Sequence, residues 1–135
     1  MKLEDQVVSL PLAKQLKELG AEQESLFYWK VDTDDDLPSY GVQFVSRKEL
    51  EAGDGSIRTV ASAYTVAELG EMLPETIQEH YLNISKYEGS WYCSYCKTEE
   101  DVLRIGKERV DFSAHTEADA IAKMLCYLKA KINLI

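Results

Sequence analysis

Cys93-Ser94-Tyr95-Cys96 places two thiols at a spacing that can grip a metal or cycle between dithiol and disulfide. A structural zinc site needs four ligands in a tetrahedron, from a second such pair or from histidines. The chain has no second CxxC, and its other soft ligands are Cys126, His80 and His115. Residues 91–96 alternate like a strand, and residues three apart on a strand point to opposite faces. The two sulfurs should therefore diverge. The strand-then-helix setting of a redox pair is also missing. Reduced structural thiols are expected, with no metal and no cofactor.

His80 and His115 are the candidate general bases. No serine or cysteine lies in a recognisable nucleophile elbow, so no catalytic residue is assigned. Asp32-Thr33-Asp34-Asp35-Asp36 opens like a calcium loop, but Leu37 and Gln43 stand where Gly and Glu are needed. An acidic hairpin turn is expected there. Tyr87, Trp91, Tyr92 and Tyr95 could stack single-stranded bases. Only Lys86 and Lys97 flank them, so core packing on one face and protein contact on the other fit better. No Gly-rich phosphate loop is present.

Charge narrows the classes further. Fifteen lysines and arginines stand against 24 aspartates and glutamates in 135 residues, a net charge of −9. Binding to phosphate backbones or anionic membranes needs the opposite balance. The start of the chain lacks a basic-then-apolar leader, and no apolar run approaches the ~20 residues that span a bilayer. A cytoplasmic setting is expected, with reduced thiols.

The elements that must position these groups follow from local signals. Ser9 and Pro11 open a helix whose Leu12, Leu16 and Leu19 form a stripe, and Gly20 ends it. Leu26–Val31 and Tyr40–Val45 read as strands around the breaker loop 33–39, Glu49–Ser56 as a turn, and Arg58–Ala63 as a third strand. Tyr81–Tyr87 and Trp91–Cys96 form a hairpin around Glu88-Gly89-Ser90. Lys97–Val110 is expected to be a loop with room for one helical turn. The last helix carries Ala118, Ile121, Ala122, Leu125, Leu128 and Ile132 at helical spacing.

Two stretches nearly repeat: SAYTVAE at 62–68 and SAHTEAD at 113–119. Thr65 and Thr116 are expected N-caps, with Glu68 and Asp119 as capping-box partners. Each follows a candidate hairpin and opens a helix, the first ending at Pro74. Two related ββα units would explain this, as would convergence on capping chemistry. The reading is one α+β domain spanning residues 1–135. It has an antiparallel sheet of about five strands covered on one face by helices.

The order "SLPLAKQLKELGAEQESLFYW", "SAYTVAELGEMLPETI", an aromatic hairpin and "TEADAIAKMLCYL" resembles a family of small uncharacterised proteins. They are encoded by phages and prophages, many of gut Bacteroides-type bacteria. The resemblance implies a mobile-element origin and no residue roles. The expected function is a non-enzymatic accessory protein that binds an unknown protein partner, without nucleic acid or membrane, and with self-association left open. Alternatives are an acidic nucleic-acid mimic that blocks a basic host enzyme, and a small enzyme using thiols or metal.

Overall fold

The computed structural model describes residues 2–32, 43–53 and 57–132. A 3-10 turn at Leu3–Gln6 leads into helix α1, Leu10–Glu18. Ala13 and Leu16 are its buried side chains. Gly20, at φ +91°, sends its N–H to the Lys17 carbonyl, and the Ala21 N–H reaches the Leu16 carbonyl. This paired closure needs a left-handed residue, which glycine supplies without a Cβ penalty. Ser9 is the N-cap residue, as expected, but its hydroxyl makes no cap bond.

Strands β1 (Phe27–Asp32), β2 (Gln43–Ser46) and β3 (Ile57–Ser62) form an antiparallel sheet in the order β2-β1-β3. The expected acidic loop 33–39, and with it the calcium-like start, lies almost wholly outside the described residues. Helix α2, Arg47–Ala52, occupies much of the expected 49–56 turn. Its cause is local: the Glu49 N–H donates to the Ser46 Oγ at 3.1 Å, a Ser-x-x-Glu start followed by good helix formers. Helix α3, Val66–Met72, starts at Thr65 and has the two turns expected before Pro74.

The second sheet has the order β4-β5-β6-β9, from Thr76–Ile77, His80–Tyr87, Ser90–Cys96 and Asp111–Ala114. Strands β5 and β6 pair from Tyr81↔Cys96 to Tyr87↔Ser90. Ser90 is thus in the ladder, and the turn is the two residues Glu88 and Gly89, at φ 48° and 80°. Two successive positive φ values suit the right-handed twist of the flanking strands. The segment 97–110 holds no helical turn. It contains the short hairpin β7 (Arg104–Ile105) and β8 (Glu108–Arg109), turned at Gly106 and anchored by buried Leu103 and Val110.

The α+β class with antiparallel pairing is as read from the sequence. The strands divide into two main sheets, and side chains occupy outer backbone groups on an edge strand of each. On β3, the Ser62 N–H donates to Gln23 Oε1 at 2.8 Å and the Val60 carbonyl accepts from Lys17 Nζ at 2.8 Å. On β9, the Ser113 carbonyl accepts from Lys123 Nζ at 2.7 Å. Backbone groups used this way cannot extend a ladder.

Helix α4, Glu117–Tyr127, continues into a π-helical turn at Leu128–Ile132. It packs against β6 and β9 on one side and α1 and α3 on the other, and α1 packs on β3. Ala118, Ala120, Ile121, Ala122, Met124, Leu125 and Cys126 are all buried. A helix enclosed this way is apolar nearly all round instead of on one stripe.

Both repeated segments run from an edge strand into a Thr-capped helix. Their sheets are wired differently: β3 pairs with β1, the first strand of its sheet, whereas β9 pairs with β6, the central strand after β5.

Candidate functional site

The two junctions use their acids differently. At the first, the Glu68 N–H donates to Thr65 Oγ1 at 3.2 Å and the Thr65 N–H donates to Glu68 Oε1 at 3.0 Å, a complete capping box. At the second, the Asp119 N–H donates to Thr116 Oγ1 at 3.2 Å, but the return bond is absent. Asp119 Oδ1 instead accepts the Ser9 N–H at 2.7 Å. The expected box is therefore half formed. Its carboxylate ties the start of α1 to the start of α4, where negative charge also suits the helix dipole.

The ring positions also separate. Tyr64 is fully buried, its hydroxyl 3.4 Å from Gln23 Nε2, and burial raises its pKa above the ordinary tyrosine value. His115 is exposed and lines a polar hollow with Ser90, Ser113, Asp119 and Lys123. Serine, histidine and aspartate meet here, yet Asp119 is held by Ser9 and Lys123 by the Ser113 carbonyl. Among the described residues no hydrogen bond joins His115 to a serine or an acid. His80 lies at the start of β5, with Nδ1 2.8 Å from the Gln78 carbonyl and Nε2 3.4 Å from Asp101 Oδ1. Both ring nitrogens thus face oxygen acceptors.

The thiols diverge as strand geometry requires. Cys93 is buried against the core, and burial, with a smaller contribution from Asp111, pushes its thiol up to about 12. Cys96 shares the opposite face with Ser94, whose Oγ is 3.3 Å from its Sγ. Cys126 sits in α4, where burial pushes it to about 11 against a weak opposing effect of Lys129. A protonated thiol is a poor nucleophile and a poor metal ligand. Among the described residues, no group of three or more His, Cys, Asp or Glu side chains is placed to hold a metal ion.

The aromatic hairpin splits cleanly between two faces. Trp91, Cys93 and Tyr95 pack into the core with Leu82, Ile84 and Phe112. The Tyr95 hydroxyl donates to the Pro74 carbonyl at 2.6 Å, and burial raises its pKa. Lys86 Nζ lies 5.5 Å from the Trp91 ring centroid, a cation–π contact. The opposite face presents Tyr81, Asn83, Ser85 and Tyr87 from β5 beside half-buried Tyr92 from β6 and Ser113 and Asp111 from β9, while Ser94 on the same side is buried. Tyr81 is 62% and Tyr87 66% exposed, and the charges at this face among the described residues are Asp111 of β9, which pairs with Ser94, and Arg109, whose guanidinium lies 3.4 Å from the Asp111 carboxylate.

No protein-family profile, curated protein or solved structure matches this chain. The sites therefore stand on their own geometry. In the sequence, Tyr87 and Tyr92 belong to the aromatic group of the hairpin and Tyr81 is a strand residue beside it. Its signal was its alternation with Leu82, which assigns the two to opposite faces.

Proposed function

We propose that this protein is a non-enzymatic protein-binding module that engages its partner through the open face of the β5–β6–β9 sheet. The observation that carries the reading is the shared placement of Tyr81 and Tyr87. They are two of the four large apolar side chains that stand exposed among the described residues, and both project from one strand onto the same face. Tyrosine combines a wide apolar surface with a hydroxyl and loses little entropy when fixed, so it anchors protein interfaces well. Small polar neighbours, Asn83, Ser85 and Ser113, leave room for an incoming side chain between the rings. The cation beside this face, Arg109, is paired with Asp111, which gives no support to base stacking with phosphate neutralisation.

The setting belongs to the same proposal: a cytoplasmic accessory protein of a phage or prophage, as the sequence resemblance implies. The deciding experiment is photo-crosslinking in the host with a reactive phenylalanine analogue at position 87, read by mass spectrometry. A partner should be captured from position 87 and lost when Tyr81→Ala is added. Equal capture from a position on α1 such as Lys14, or capture indifferent to Tyr81→Ala, refutes the assignment of this face.

A further inference from the structure

The β5 edge differs from the other two edges whose hydrogen bonds can be followed. The two-residue turn at Glu88-Gly89 makes Tyr87↔Ser90 the closing hydrogen-bonded pair. Bonding then alternates, so Tyr87, Ser85 and Asn83 direct their backbone groups to β6. Leu82, Ile84 and Lys86 direct theirs outward. The Leu82 N–H is taken by the Glu75 carbonyl at 3.1 Å, and β4 covers only His80 and Tyr81. Ile84 and Lys86 have no backbone partner on that side among the described residues.

Natural sheets commonly guard such an edge with lysine. Here Lys17 closes β3 and Lys123 closes β9 by bonding to their carbonyls. Lys86, the lysine on β5 itself, instead turns its ammonium onto Trp91 of its own sheet. That leaves the outward backbone groups of Ile84 and Lys86 uncovered among the described residues. Its most exposed tyrosine, Tyr87, stands at the same stretch.

We propose that β5 pairs with β5 of a second copy of this chain, antiparallel, about a two-fold axis through Ser85. The edge is complementary to itself in this register. Ile84 faces Lys86 of the second copy, and the two outward residues on each strand exchange both of their backbone hydrogen bonds. Asn83 faces Tyr87 of the second copy, a small side chain beside a large ring. Ser85 meets Ser85, which places no bulk on the axis. A register centred on Ile84 would set Lys86 against Leu82, whose N–H is already taken by Glu75. The axis through Ser85 instead sets Leu82 against Glu88 of the second copy, where the ladder ends and the chain turns away toward its own β6. Pairing joins the two four-stranded sheets into one and makes their open faces continuous, so the module would present two copies of its tyrosine surface side by side.

The test is Ser85→Cys under mild oxidation. A non-hydrogen-bonded antiparallel pair has Cα atoms about 4.5 Å apart, within disulfide reach. The control is Asn83→Cys, whose two copies would lie roughly 13 Å apart along the strands. Ser85→Cys should give a disulfide dimer much faster than Asn83→Cys. In the unsubstituted protein, the Ile84 and Lys86 amides should gain hydrogen-exchange protection as concentration rises. Equal coupling of the two variants, or a chain that stays monomeric with both amides exchanging freely, overturns the pairing. So does protection that only an unrelated extended peptide provides. A monomer whose open face still captures a partner would overturn the pairing and leave the open-face reading standing.

Discussion

Asp119→Ala should destabilise the protein by more than its place in a helix cap suggests. The carboxylate accepts the Ser9 N–H at 2.7 Å in a partly buried position. Removing it strands that donor, at about 1–3 kcal/mol. Loss of a negative charge from the first turn of α4 adds about 0.3–1 kcal/mol, towards the low end because Glu117 remains. The total is about 2 kcal/mol. Ser9→Pro separates the two contributions. Ser9 has φ −64°, which proline adopts without strain, and proline carries no N–H. In that background Asp119→Ala should cost only its dipole share, under ~1 kcal/mol. Urea unfolding of the four proteins would give the coupling directly, expected at ~1 kcal/mol or more. Additive effects would refute the idea that Asp119 works by holding the start of α1.

Leu125→Ala in α4 should cost about 2–5 kcal/mol in the same assay, since its side chain is fully buried between sheet and helices. Leu26→Ala, at a position 57% exposed, should stay within about 0.5 kcal/mol. Stability should also fall as pH rises above 9, where an unfolded Cys93 thiol ionises while the folded one, raised from 9.0 to about 12, stays protonated. The unfolded state then binds fewer protons, so the slope is negative, up to about 1.4 kcal/mol per pH unit. Cys93→Ala should flatten the part of the decline between pH 9 and 11 that this thiol causes; an unchanged slope in pH-dependent urea titrations would refute it.

Features settled within a few residues were legible in the sequence. The closure at Gly20, the caps at Thr65 and Thr116, and the tight turn at Glu88-Gly89 each satisfy local backbone groups, so local residue types announce them. Divergence of Cys93 and Cys96 follows from the period of a strand in the same way. Helix α2 was also announced, by Ser46 and Glu49, but Gly53 and its neighbours gave a stronger turn signal.

What needed the tertiary structure concerns groups with more than one possible partner. Asp119 and Glu68 hold equivalent places in their motifs. Only the arrival of Ser9, 110 positions away in the chain, draws Asp119 out of its own cap. Tyr64 and His115 are equivalent in sequence as well, yet one is enclosed and the other open because different elements pack beside them. No local pattern sets Lys17 or Lys123 beside an edge-strand carbonyl; the fold alone does. Local pattern therefore determined where helices and strands begin, because backbone groups near those ends must be satisfied nearby. Which strand edges close, and which face stays open, was decided by long-range packing that alone determines what lies within hydrogen-bond reach.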